Sequence, residues 1–161
     1  NLQLNYKNLD FAAYTFASVG NDMVRNYERT NPYANRLDYV LGRWTGEGTD
    51  NAVPRVTTSA TANTNFSDYY VEDASYVRIQ NIQLGYTLDP KISQKAGITK
   101  LRLYAGVNNL YTFTKYKGFD PGASFGPTNQ DGVSQSPIGA GIDYGFYPVP
   151  RTYLLGLNVN F

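Results

Sequence analysis

Arg151-Thr152-Tyr153-Leu154-Leu155-Gly156-Leu157-Asn158-Val159-Asn160-Phe161 is the stretch that decides the fold. Tyr153, Leu155, Leu157, Val159 and Phe161 share one parity, and Thr152, Gly156, Asn158 and Asn160 share the other, with Leu154 the single exception. Alternate side chains of a β-strand point to opposite faces, so the segment has one apolar and one polar face. It ends on an aromatic. An alternating strand of about ten residues is the unit that crosses a bilayer within a closed barrel. A soluble sandwich can carry the same pattern, so the rest of the chain must decide.

Composition removes several classes. The 161 residues suffice for one domain with a sizeable core. A net charge of +1 gives no basis for a nucleic-acid partner. With no cysteine and no histidine, disulfides, thiolate metal sites, the commonest general base and the commonest zinc ligand are all excluded, and no metal or cofactor is expected. Aromatics make up 15% and mean hydropathy is −0.43, with no apolar run near the roughly 18 residues of a membrane helix. A barrel explains that average, because lumen-facing and loop residues dilute the lipid-facing ones. The chain starts at Asn1 within an alternating segment and shows no signal peptide, which reads as a cut through a larger protein.

Alternation recurs along the chain. Leu2, Leu4 and Tyr6 form one run, Lys7-Asn8 a tight turn, and Leu9, Phe11 and Ala13 the next, ending at Gly20-Asn21-Asp22. A long polar segment follows to Ser75, holding the only Trp (Trp44); a short helix from Met23 towards Asn35 is expected within it, interrupted by Pro32. Val77 and Ile79 share one parity while Ile82, Leu84, Tyr86 and Leu88 share the other. The slip at Gln80-Asn81 calls for a bulge, or for a strand end standing above the bilayer. Leu101, Leu103, Ala105 and Val107 form a fourth run continuing to Phe113, before a second long, Gly- and Pro-rich segment. The expected strands are 1–6, 9–19, 76–88, 101–113 and 151–161, with long loops 20–75 and 114–150. Connections alternate short and long, as in a transmembrane barrel with short periplasmic turns and long outer loops. Five crossings that start outside leave Phe161 on the periplasmic side. Five strands cannot close, and an open edge in hydrocarbon costs several kcal/mol per unpaired group, so strands from elsewhere are required.

Several long, collinear stretches carry a family resemblance: Arg43 to Thr49 (RWTGEGT), Tyr70 to Arg78 (YVEDASYVR), Asn81 to Leu88 (NIQLGYTL), Asn108 to Pro121 (NNLYTFTKYKGFDP), Gly141 to Gly145 (GIDYG), and Tyr147 to Tyr153 (YPVPRTY) with the terminal strand. The chain resembles the C-terminal part of the SusC/RagA family of TonB-dependent outer-membrane transporters, least so over 25–39 and 56–66. The resemblance implies an all-β fold, the last five or so antiparallel strands of a 22-stranded transmembrane β-barrel with two long extracellular loops. The N-terminal plug is absent from this chain. It also implies a bacterial outer-membrane location in Bacteroidetes, with the C-terminus periplasmic. The implied function is TonB-dependent import of oligosaccharides or peptides, not enzymatic activity. Expected partners are a SusD-like surface lipoprotein as lid, TonB, ExbB and ExbD acting through the absent N-terminal part, the barrel-assembly machinery and outer-membrane lipid. A non-transport adhesin or glycan-binding surface barrel, and a small soluble carbohydrate-binding β-domain, are the alternatives.

Residue roles follow from that frame. Tyr153, Leu155, Leu157, Val159 and Phe161 resemble a C-terminal barrel-assembly signal, since an edge strand with an aromatic end is a template for strand addition; the plainer reading is a lipid-facing strand with an interfacial aromatic. Gln83, Thr87, Arg102, Tyr104, Asn108, Asn158 and Asn160 are expected to face the lumen. Trp44, Tyr69, Tyr70, Tyr144, Phe146 and Tyr147 either stack on ligand or pack the loops and the lid, and packing is preferred because they stand in or beside the shared motifs. Asp68, Glu72 and Asp73 lack calcium-loop spacing and read as a solvated or Arg-paired face. Gly46-x-Gly48 and Gly139-x-Gly141 are turn glycines rather than a phosphate fingerprint, and the Asn65-Phe66-Ser67 sequon carries little weight in a bacterial protein.

Overall fold

A computed structural model describes residues 1–27, 33, 35–49, 52–59, 61–93, 97–122 and 141–161. Among the described residues there are eight strands: β1 (Leu2–Tyr6), β2 (Leu9–Ser18), β3 (Asp22–Arg25), β4 (Val71–Asp73), β5 (Tyr76–Thr87), β6 (Lys100–Thr114), β7 (Ile142–Asp143) and β8 (Thr152–Asn160). They separate into an antiparallel sheet β1-β2-β5-β6-β8 and a small sheet β4-β3-β7. The chain divides accordingly into two compact units. One comprises Asn1–Gly20, Ser75–Lys115 and Pro148–Phe161, and the other Asn21–Ala74 with Tyr116–Tyr147.

In the large sheet the register carries the sequence alternation across strands. Leu4 lies opposite Phe11, Phe11 opposite Leu84, Leu84 opposite Ala105 and Ala105 opposite Leu155. Adjacent rows add Tyr6, Leu9, Tyr86, Leu103 and Leu157, so one face is apolar from edge to edge. That face is open: Leu4 is 55% exposed, Leu84 51% and Leu155 88%. The buried apolar residues among those described (Met23, Tyr70, Ala74 and Tyr116) all belong to the other unit. A sandwich would cover such a face with a second sheet. Here, among the described residues, the apolar face has no protein cover within its unit.

The phase slip at Gln80 is a bulge. Tyr14 pairs with Asn81 but Thr15 with Ile79, leaving Gln80 as the extra residue of β5. On the other side Asn81 pairs with Asn108 and Ile79 with Tyr111, so β6 also carries an extra residue, and Asn109 takes a left-handed φ of 52° there. The bulge returns Val77 and Ile79 to the apolar face. The turn at Lys7-Asn8 places its positive φ (53°) on Lys7, not on the Asn; positive φ at the first central position alone is the type II′ pattern.

The ends of the sheet differ. Lys7-Asn8, the connection 88–99 and Asn160 lie at one end, where Asn8 accepts from the Thr87 amide and Asn160 from the Thr99 amide, both at 2.8 Å. The connection 88–99 contains the short helix α1 (Pro90–Ser93), begun by Asp89, whose carboxylate accepts from the Lys91 amide (2.9 Å). The long connections leave from the other end, next to the row Ser18, Tyr76 and Thr114. β8 has nine residues, close to the roughly 9–11 needed to cross a bilayer, and β6 has 15.

The long connections are not independent loops. β7, from the second, pairs in parallel with β3 from the first, and Tyr116 joins Met23 and Ala74 in one core. The helix expected from Met23 is overturned, because Met23 to Arg25 lie in β3, pairing with β4 on one side and β7 on the other. Tertiary pairing outweighs weak local helix preference there. Of the rest of that expected helix, Asn26, Tyr27, Tyr33 and Asn35 are described and are not helical, whereas 28–32 and 34 lie outside the described residues, as does Gly139.

Candidate functional site

The polar face of the large sheet is the first candidate. Thr87, Arg102 and Asn158 form one cross-strand row, and Asp10, Gly85, Tyr104 and Gly156 the next. Gln83 follows with Gly106, then Asn81 with Asn108; Asn160, two residues beyond Asn158, shares the face. All seven residues expected to face a lumen are thus on one face, opposite the apolar one. Arg102 donates from Nε to Asp10 Oδ1 (2.9 Å) and from Nη2 to Oδ2, spanning Gly85. A Cβ on Gly85 would stand 2.5 Å from each Asp10 carboxylate oxygen, so the missing side chain is the passage for this ion pair. The Tyr104 ring lies over Gly156 in the same way, and the Arg102 guanidinium stacks 5.2 Å from the Tyr104 ring centre. Asn81 donates from Nδ2 to Asn108 Oδ1 at 2.6 Å. The face is therefore lined with hydrogen-bonding groups and flattened by glycines under the two largest side chains.

The second candidate is the loop unit. Arg25 is 2% exposed, lies 3.3 Å from Glu72 Oε1, and stacks on Tyr39 and Tyr69 at 4.8 and 5.5 Å. Glu72 Oε2 also accepts from the Lys117 amide at 3.2 Å, which ties the second connection to the first. Tyr116 donates to Asp143 Oδ2 (2.7 Å), while Asp143 Oδ1 accepts from the Gly145 and Phe146 amides. Burial first, and the bond to Asp143 second, push the Tyr116 phenol far above the ordinary tyrosine range.

The six loop aromatics do not converge. Tyr70 is buried and donates to the Asn63 carbonyl, and Tyr69 packs edge-on against it at 5.1 Å. Tyr144 is 42% exposed and Tyr147 94%, with Phe146 half-buried. Trp44, fixed by a 2.9 Å bond from its amide to the Val53 carbonyl, lines an open groove of about 540 Å³ with Pro54, Arg55 and Asn63. Pro54, Arg55 and Asn63 also border a smaller cavity of about 60 Å³ lined by Arg25, Arg36, Tyr39 and Tyr69. In the sequence Asp68, Glu72 and Asp73 read as a solvated or Arg-paired face; the structure pairs Glu72 with Arg25, and the cavity, whose residues stand far apart in the chain, left no sequence signal.

A single antiparallel sheet with an exposed apolar face, a hydrogen-bonding reverse face and long connections at one end defines the class, a section of a transmembrane β-barrel. No protein-family model matches the chain. It is 37% identical, over its whole length, to TonB-dependent receptor P3 of Formosa agariphila, and 34% identical over 98% of its length to receptor P26 of the same organism. It is 29% identical over 99% of its length to TonB-dependent receptor SusC of Bacteroides thetaiotaomicron. The chain spans only 16% of P3 and of P26, and 14% of SusC. Among solved structures it is similar to the RagAB peptide importer in its open-open and closed-closed states. The TM-scores are 0.67 and 0.68 with 27% identity in each case, over 96% and 97% of this chain and 16% of the other. By sequence and by fold the chain belongs with the TonB-dependent receptors of the SusC and RagA type, of which it represents one part.

Proposed function

We propose that this chain is the C-terminal section of the barrel of an outer-membrane importer that takes up oligosaccharides or peptides. The observation that carries this reading is the apolar, uncovered sheet face in a chain related along its whole length to TonB-dependent receptors. The complete barrel would have 22 strands, with β1 and β8 pairing with strands from the rest of the protein. Relatives named as receptors and transporters, one of them a peptide importer, support transport over catalysis.

In this reading the apolar face meets lipid, and Gln83, Thr87, Arg102, Tyr104, Asn108, Asn158 and Asn160 line or seal the lumen. The short-connection end, with Phe161, is periplasmic, and Tyr153, Leu155, Leu157, Val159 and Phe161 present the edge read by the assembly machinery. The loop unit, extracellular, forms part of the chamber wall under a SusD-like lid, with Trp44, Tyr144, Phe146 and Tyr147 its aromatic groups available to ligand or lid. TonB, with ExbB and ExbD, would pull on a plug contributed by the N-terminal part and open a path past the polar face.

Deletion of the gene for the full-length protein tests the reading. Uptake of at least one class among labelled oligosaccharides and peptides is expected to fall, and to return with the intact gene but not with one lacking its TonB-contacting segment. Unchanged uptake of every class, with loss of surface adhesion instead, would show an adhesin.

A further inference from the structure

The outer end of the polar sheet face differs in kind from the rest of it. β2 alternates without an extra residue, so Asp10, Ala12, Tyr14 and Phe16 share that face. Tyr14 lies opposite Asn81, Phe16 opposite Arg78, and Tyr76 follows in the next row, opposite Ser18. Three aromatic side chains therefore gather at the end from which the long connections leave. Tyr14 and Phe16 are 41% and 40% exposed, and as neighbours two apart on one strand their Cα atoms stand roughly 7 Å from each other. Phe16 leans on Tyr76, with ring centres 6.0 Å apart and planes tilted by 46°. Exposed aromatic groups collected on the hydrogen-bonding side of a sheet mark a binding surface.

The polar groups around these rings set the chemistry of what they bind. Arg78 is 9% exposed; it donates from Nε to Thr112 Oγ1 (2.9 Å) and stacks 5.1 Å from the Tyr76 ring centre, so its charge is committed within the wall. No carboxylate stands in these rows among the described residues. A peptide, with a charged amine and a charged carboxylate at its ends, finds neither counter-charge exposed here. Asn81 donates from Nδ2 to Asn108 Oδ1, which leaves Asn81 Oδ1 as an acceptor and Asn108 Nδ2 as a donor for other partners. A pyranose ring matches this set, with a face of C–H bonds to lie on an aromatic ring and a rim of uncharged hydroxyls that both donate and accept. Resting on the import reading above, we infer that Tyr14, Phe16 and Tyr76 form a stacking platform on the lumen wall for the rings of neutral oligosaccharides. Asn81 and Asn108, in the same row as Tyr14, bond the hydroxyls of the stacked sugar.

Calorimetric titration of the purified full-length transporter in detergent tests this without any need for transport. The probes are a pool of short neutral gluco-, manno-, galacto- and xylo-oligosaccharides and a mixed tetrapeptide pool. The saccharide pool is expected to bind. Phe16→Leu and Tyr14→Leu, which keep apolar bulk but remove the ring, should each weaken that binding about fivefold or more. Phe16→Tyr and Tyr14→Phe, which keep the ring, should bind within about twofold of the natural protein. Heat-modifiable gel migration should be the same in every variant. Saccharide binding that is absent, or that survives both leucine substitutions, overturns the inference. So does a loss of binding that appears only with altered migration, which would show rings packed against the rest of the protein. A peptide pool that alone is weakened by the leucine substitutions overturns it as well. Failure of the import reading is seen separately, as a strain without the gene that takes up the bound saccharides as fast as its parent, whatever the titrations show.

Discussion

Gly85 is set by a contact that forms only in the folded sheet. The Asp10–Arg102 pair crosses its Cα, with the two side chains about 33% and 20% exposed. Gly85→Ala is expected to displace the pair, and the cost should stay near that of a partly solvated ion pair, at most about 1 kcal/mol. Because both changes remove the same interaction, Gly85→Ala and Asp10→Asn should not add in a double-mutant cycle of denaturant unfolding; full additivity would show that the pair contributes nothing. Tyr116 presents the opposite case, a neutral phenol in a sealed core. Its pKa is raised in the fold, so its contribution is complete below the unfolded-state value of about 10 and is lost as pH rises beyond it. Amides of Val24 and Asn26, bonded to the Gly141 and Asp143 carbonyls, should therefore lose hydrogen-exchange protection above about pH 10. Tyr116→Phe should weaken that protection at neutral pH by about 1–3 kcal/mol and remove part of the alkaline dependence. Protection independent of both pH and the hydroxyl would contradict this account.

Each strand of the large sheet carries two surfaces, and their tolerance to charge should differ. Leu155 is 88% exposed on the apolar face of β8, while Asn158 stands on the polar face beside Arg102. Leu155→Arg is expected to destabilise the full-length barrel by about 2–4 kcal/mol, the range for a cation near the bilayer midplane, and Asn158→Lys by much less. Folding titrations in lipid vesicles measure both, and equal costs would mean that β8 does not face lipid. The alternation that defines these faces was legible in the sequence because it is a property of the strand itself: side-chain direction reverses at every residue. Even the bulge left a trace, in the change of parity between Ile79 and Ile82. β3, β4 and β7 left none. They have four, three and two residues, too few for a period, and exist because each is paired by another.

For the whole molecule, the sheet's stability depends on what surrounds it. In the proposed barrel an apolar face as wide as the sheet would be satisfied by lipid, and among the described residues the outer edges of β1 and β8 have no partner strand in their unit. The chain expressed alone in detergent-free buffer is therefore expected to aggregate; a folded monomer by ultracentrifugation and circular dichroism would count against the barrel reading. The loop unit has its own core and its own ion pair, so its architecture does not rest on the sheet's two faces.

What the sequence determined by itself was the set of long strands, their faces, the order of short and long connections and, through its motifs, the family. Those features are local or collinear, and local rules suffice to read them. Only the tertiary structure decided that the two long connections form one unit, that Arg25 is held by Glu72 and two tyrosines, and that Arg36 and Arg55 meet at a cavity beside Trp44. Most of these cavity residues lie outside the motifs, on segments without periodicity. Of the lining, Arg25 lies in β3 and Tyr70 directly precedes β4, so the β3–β4 pairing brings those two together, and no spacing along the chain records such long-range pairing.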